Sequence, residues 1–148
     1  MDQKNEMFMQ QTTCSRWGIF EVGIDGPKDG NPFIEQKVTG IFKGDNETVS
    51  CDGFYDGDGV YRIRFMPSFE GVYTYQIQTT FGGDCAGSFT VTAPKENAHG
   101  PVRVANTYHM AYEDGTPYYS IGTTCYVWEL QSDELIEQTF DTTQKQCV

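Results

Sequence analysis

The stretch Gly53-Phe-Tyr-Asp-Gly-Asp-Gly-Val-Tyr-Arg-Ile-Arg-Phe-Met-Pro67, with Glu70-Gly-Val-Tyr-Thr-Tyr75 close behind it, writes two antiparallel strands, the turn between them and a passage into a second sheet. Its Asp56-Gly-Asp-Gly59 run supplies residues that tolerate the positive φ a tight hairpin turn demands. Beyond the turn, Tyr61, Ile63 and Phe65 alternate with Arg62 and Arg64, the period of two expected of a half-buried strand. Pro67 ends the pairing, and Gly71 leads into Tyr73-Thr74-Tyr75. The arrangement predicts a two-sheet sandwich. Arg62 and Arg64 should face solvent or an acidic neighbour, because a slip of one residue would exchange the faces.

Outward from this stretch the same rhythm continues. Strands are expected over 17–24, 32–43, 49–54, 60–66, 72–80 and 88–93, separated by turn clusters at 25–32, 44–46, 56–59 and 82–84. No helical period interrupts them, so 14–94 reads as one antiparallel sandwich. Trp17, Phe42, Tyr61, Ile63, Phe65, Tyr73, Tyr75, Ile77, Phe89 and Val91 are expected inside. Residues 1–13 are polar and read as disordered or loosely attached. Pro94-Lys-Glu-Asn-Ala-His-Gly-Pro101 has two prolines, a glycine and no apolar run, which marks 95–101 as a linker.

Past the linker, 102–104 and 108–112 read as short strands, Glu113-Asp-Gly-Thr-Pro117 as a turn and 118–124 as a buried strand. Ser132-Asp-Glu-Leu-Ile-Glu-Gln-Thr-Phe140 is the first helical text in the chain. Ser132 is an N-cap there, acids fill the first turn, and Leu135, Ile136 and Phe140 share a face. A strand, a loop and a helix cannot cover their apolar faces alone, so this is expected to be a short, truncated βα segment of something larger. The fold class is therefore mainly β, a sandwich followed by that segment.

Composition narrows the function. The chain has 148 residues and a net charge of −11, which disfavours nucleic acid and anionic membrane surfaces as partners. Aromatic residues make up 14%, enough bulk for a sandwich core. No run approaches the roughly 18–20 apolar residues of a membrane-spanning helix, and the polar start lacks an apolar leader, so a cytoplasmic location is expected. Cysteines stand at 14, 51, 85, 125 and 147 without a C-x-x-C pair, which predicts free thiols rather than disulfides or zinc. Cys51 and Cys85 are the one pair on sandwich strands that could approach each other.

Several residues carry a family resemblance. Tyr73 precedes Tyr75 by two positions, as the tyrosine of the immunoglobulin tyrosine corner precedes the second bridge cysteine. Here Tyr75 stands where that cysteine would be. Further matching text is Trp17, Phe20-Glu21, Gly30-Asn-Pro-Phe33, Gly53–Gly59, Arg64-Phe-Met-Pro67, Gly87-Ser-Phe89, Asn97 and His99-Gly-Pro101, then Gly122-Thr-Thr-Cys-Tyr-Val-Trp128 and Glu137-Gln-Thr139. Over residues 14–140 the chain resembles an immunoglobulin-like sandwich of unknown function that precedes a (β/α)8 barrel of glycoside-hydrolase type. The resemblance implies that 102–148 begins that barrel, that the sandwich is a non-catalytic accessory, and that the catalytic carboxylates lie on later strands. Its implied partners are carbohydrate, met through the parent enzyme, and the missing catalytic barrel.

No catalytic residue is assigned within this chain, and no cofactor or metal. Glu129, Asp133 and Glu134 follow the first barrel-like strand but read as loop and first-turn acids. Tyr126 and Trp128 are the candidate carbohydrate contacts, since an aromatic face offers a flat apolar surface to a sugar; packing between barrel and sandwich is the competing role. Asp56 and Asp58 lack the acid series of a calcium loop, and His99 and His109 lack companions at zinc-ligand spacing. Two other functions stand beside the accessory one. A carbohydrate-binding module would use exposed aromatics such as Tyr55, Tyr61 or Tyr119 as a platform. An immunoglobulin-like interaction module would expose an apolar patch away from the barrel side.

Overall fold

The computed structural model describes residues 7–122, 124 and 126–146. Ten of its strands, β1 to β10, run Met7–Gln10, Thr13–Ser15, Phe20–Asp25, Val38–Lys43, Thr48–Asp52, Phe54–Gly57, Val60–Phe65, Gly71–Thr79, Cys85–Thr92 and Val102–Asn106. Two more, β11 (His109–Tyr112) and β12 (Pro117–Tyr118), complete a hairpin sheet with β10. Nine strands make the sandwich, in the orders β1-β3-β7-β6 and β2-β9-β8-β4-β5. The first is the A-B-E-D order of an immunoglobulin sandwich. In the second, β9-β8-β4 is G-F-C, with β5 added beside it and β2 running parallel to β9.

The Asp56–Gly59 turn does what its residues allow. Gly57, Asp58 and Gly59 all take positive φ, at 96°, 50° and 83°, and β6 folds back on β7. Tyr61, Ile63 and Phe65 enter the core while Arg62 and Arg64 leave it. After Pro67 the chain crosses to the second sheet as β8. The inter-sheet bridge of immunoglobulin domains is replaced by rings. Phe20, Phe42 and Tyr75, from β3, β4 and β8, meet at centroid distances of 6.1, 5.5 and 6.0 Å. Stacked pairs Phe20–Phe89 at 3.7 Å and Phe42–Phe65 at 4.5 Å extend this contact between sheets. Each such ring stabilises the fold by about 1.5–3 kcal/mol through burial alone.

Several expectations need correction. Met7–Gln10 and Thr13 are strand-paired, because β1 completes the edge of β3 and β2 lies along β9, so 1–13 is not uniformly loose; residues 1–6 fall outside the described ones. The span 32–43 is not one strand. Pro32–Glu35 is a helical turn, α1, because Pro32 at its first position already has the required φ and Glu35 Oε2 accepts from Asn31 N–H at 3.2 Å. Trp17 is half-buried rather than core, since a left-handed turn (φ 61°) carries it out of the sheet before β3 begins. Cys51 and Cys85 share one row of the second sheet but are separated by Gly40 and Ile77. Three strand spacings put them roughly 14 Å apart, beyond the ~7 Å limit for a bridge. Cys14, Cys51 and Cys85 are free thiols; Cys125 and Cys147 lie outside the described residues.

Beyond the sandwich, strand pairing over 118–124 stops at Tyr118, and Tyr119 and Ile121 are exposed. Among the described residues no second layer lies over this segment to bury it. The helix α2 spans Asp133–Gln146, and Ser132 Oγ accepts from Leu135 N–H at 3.4 Å as its cap. Leu135 and Phe140 face solvent, so α2 does not cover a sandwich sheet. Among the described residues no helix is long and apolar enough to cross a membrane.

Candidate functional site

The two candidate sugar contacts are brought together by a short local fold. Val127 turns the backbone through φ 46°, Trp128–Leu130 forms a 3₁₀ turn, and Ser132 then starts α2 one turn later. This folds Trp128 back so that its ring meets Phe140 edge-on at 5.6 Å. An open groove of about 300 Å³ results, lined by Tyr126, Trp128, Gln131, Leu135, Ile136 and Thr139. Tyr126 is 86% exposed and Trp128 44%. The groove offers two aromatic faces, one amide and one hydroxyl. Among the described residues no carboxylate lines it, and Glu129, Asp133 and Glu134 are exposed. Such a surface can hold the apolar face of a ring. Glycoside cleavage also needs two carboxylates flanking the bond, which this groove lacks.

A second concavity of about 700 Å³ lies along the hairpin sheet, between Tyr108, Met110, Tyr118 and Tyr119. His109 Nδ1 there sits 2.9 Å from Asn106 Oδ1. The other histidine, His99, has Nδ1 2.7 Å from Asp114 Oδ2. That hydrogen bond, with the Thr116 amide, holds the Asp114 carboxyl down at about 2. Among the described residues no three His, Cys, Asp or Glu side chains cluster as metal ligands.

Two of the three tyrosines expected as an aromatic platform are committed within the sandwich. Tyr61 is 1% exposed and donates to Pro27 O at 2.7 Å. Tyr55 accepts from Gly59 N–H at 3.1 Å and meets Phe33 at 90°. These are structural roles inside the hairpin end, so only Tyr119 of the three platform residues is open. Asp56 is equally committed, pairing with Arg62 Nε at 2.5 Å, and Asp58 occupies the turn. On the same outer face Glu21 binds Arg62 and Arg64, each at 2.5 Å. Burial pushes the Glu21 carboxyl up, but the hydrogen bonds from Arg64 and Arg62 outweigh it and hold the group below its usual range. Arg64 lies over the Phe54 ring at 5.0 Å. The outer face of the second sheet is built of Thr39, Thr74, Gln76, Gln78, Ser88 and Thr90, with Ile41 and Val72 exposed among them.

Burial divides the molecule sharply. Among the described residues nothing past Val91 is buried, and twelve of the twenty exposed large apolar residues follow Pro101. Sequence reasoning found the apolar helix face and Tyr126 and Trp128. It missed the wider exposure of Val104, Tyr108 and Leu130, which alternation alone does not distinguish from burial.

Comparison with known proteins supplies a context. Residues 13–80 match the model of the family described as a domain of unknown function, DUF5060. The crystal structure of a provisionally assigned glycoside hydrolase from Bacteroides vulgatus ATCC 8482 superposes with a TM-score of 0.81 at 34% identity. The match covers 88% of this chain but 26% of that one, so this chain spans about a quarter of its length. A filamin domain of Lin-41 aligns more loosely, with a TM-score of 0.47 at 15% identity over 62% of this chain and 94% of that one. No curated protein matches the sequence significantly.

Proposed function

We propose that this chain is the N-terminal portion of a glycoside-hydrolase-type protein, in which the sandwich over 14–94 is a non-catalytic accessory and residues from 102 onward open a (β/α)8 catalytic barrel. The observation that carries this reading is the change in burial after the sandwich. Every buried side chain among the described residues lies at or before Val91, while the later segments turn their apolar groups outward. Exposed apolar surface on this scale marks a contact surface. Further polypeptide of the same protein is the fitting cover, because the similarity spans 88% of this chain and leaves most of the Bacteroides protein unmatched.

In this reading the sandwich braces the barrel and shapes access for a carbohydrate. Tyr126 and Trp128 line the rim of the completed cleft, Tyr126 with its ring face open and Trp128 held against Phe140. The carboxylates that cleave the bond come from later barrel strands, and carboxylate-driven hydrolysis calls for no cofactor. A carbohydrate-binding role for the sandwich itself finds less support, since Tyr55 and Tyr61, two of its platform candidates, are committed to hydrogen bonds inside the hairpin end.

The test extends the chain with the polypeptide encoded after codon 148 and compares amide hydrogen exchange in the two proteins. Residues 102–146 are expected to gain protection on extension while 14–94 stay as they were, and glycosidase activity is expected only in the longer protein. Unchanged exchange over 102–146 in a folded, extended protein overturns the proposal.

A further inference from the structure

Two prolines and a glycine in Pro94–Pro101 compose a tether, and units joined by such a tether ordinarily move against each other. The structure holds this run from both sides. On the sandwich side, the backbone N–H of Trp17 donates to Pro67 O at 3.0 Å, which ties this residue's main chain to the β7–β8 corner. The indole then lies against Gly100, where a Cβ would come within 2.8 Å of its Cε2. On the hairpin-sheet side, the same Cβ would meet Glu113 Cβ at 2.8 Å. Gly100 has φ +80°, so its bare backbone is required twice, for conformation and for space.

Next to this wedge is a polar latch. His99 Nδ1 lies 2.7 Å from Asp114 Oδ2, and Asp114 N–H donates to His99 O at 3.3 Å. Thr116 N–H donates to Asp114 Oδ1 at 2.9 Å, and the Tyr112 ring stands 5.3 Å from the imidazole. Side chain and backbone of His99 are thus both tied to the β11–β12 turn.

We propose that residues 95–101 form a rigid elbow, with Trp17 wedged on Gly100 and His99 latched to Asp114, which makes the sandwich and the β10–β12 sheet turn as one body. Whatever the sheet docks against is then presented to the sandwich at one fixed angle. The elbow is a property of this chain as it stands and does not depend on the catalytic reading.

The test is nuclear magnetic resonance on the 148-residue chain, with residual dipolar couplings measured for amides of the sandwich and of Val102–Tyr118. One alignment tensor is expected to fit both. Gly100→Val should split them into two tensors, because neither the left-handed backbone nor the packed indole leaves room for the side chain. His99→Ala, which removes a half-buried latch and leaves the sandwich core alone, serves where Gly100→Val fails to fold. It should lower the order of the hairpin sheet relative to the sandwich. Two tensors in the unaltered chain, or a single tensor kept in the folded variants, overturn the proposal.

Discussion

The phenol of Tyr73 donates to Glu47 Oε1 at 2.6 Å, and Ser68 N–H donates to the same oxygen at 2.8 Å. One carboxylate therefore ties the β4–β5 turn to the corner where the chain changes sheets. The spacing of Tyr73 and Tyr75 made the corner legible in the sequence. Glu47 was not, because an acid in a turn cluster carries no mark of a partner some 20–30 positions away. Burial, followed by the Glu47 carboxylate, pushes the Tyr73 phenol well above its ordinary value of 10.0. The sign follows: this stability is fully present below that ordinary value and is lost as pH rises through the higher folded value. Tyr73→Phe is expected to cost about 1.5–3 kcal/mol near neutral pH, since it removes a hydrogen bond to a charged group. It should also flatten the alkaline fall in stability. Urea unfolding of both proteins across pH 7–11 (a range chosen to bracket roughly the usual phenol value) checks this, and an equal alkaline slope in the variant would count against it.

Among the elements, the 56–59 turn and β7 were the most legible because turn residues, alternation and stop signal agree with one another. The single strand expected over 49–54 is instead divided at Gly53, Thr48–Asp52 pairing with β4 in the second sheet and Phe54–Gly57 pairing with β7 in the first. Phe20, Val22 and Ile24 of β3 alternate just as clearly with Glu21, Gly23 and Asp25, and all three are buried. Elements where one signal serves two structures were harder. A proline after Asn31 fits a strand entry and a helix start equally well, and the Glu35 side chain's contact to Asn31 N–H, with the Glu35 N–H bond to Asn31 O, belongs to the helical turn. Residues 118–122 have strand-like text, but burial needs a second layer, and none of the described elements supplies it. The turn itself invites a paired test. Gly59 has φ +83°, and a Cβ there would lie 2.9 Å from Gly26 O. Gly59→Ala should destabilise by about 1–2 kcal/mol, the cost of a left-handed L-residue, with the backbone clash added to it. Asp58→Gly, at φ 50°, relieves a positive-φ side chain and should be close to neutral. Thermal unfolding of the two variants separates turn strain from a general intolerance of change in the hairpin; equal losses would show that strain is not the cause.

At the scale of the whole molecule, the sandwich completes itself and the rest does not. Its core is closed by rings from both sheets, whereas Tyr119, Ile121, Leu130 and Phe140 stand in solvent beyond it. Sequence could show that the segment after 102 has apolar faces. It could not show whether something within the chain would cover them, because covering depends on how distant elements pack. The same openness governs chemistry. The groove of Tyr126 and Trp128 is open, about 300 Å³ in volume, and no carboxylate among the described residues lines it. Hydrolysis of a glycoside needs an acid to protonate the leaving oxygen and a second carboxylate about 5–10 Å away on the other side of the bond. It also needs walls that hold the ring in place, since positioning supplies much of the rate. The 148-residue chain should therefore hydrolyse no aryl glycoside or oligosaccharide above the buffer rate. Glu129→Gln and Asp133→Asn should change nothing in that assay. Turnover by the purified chain that either substitution abolishes would place the chemistry within these residues, and the accessory reading would then fail.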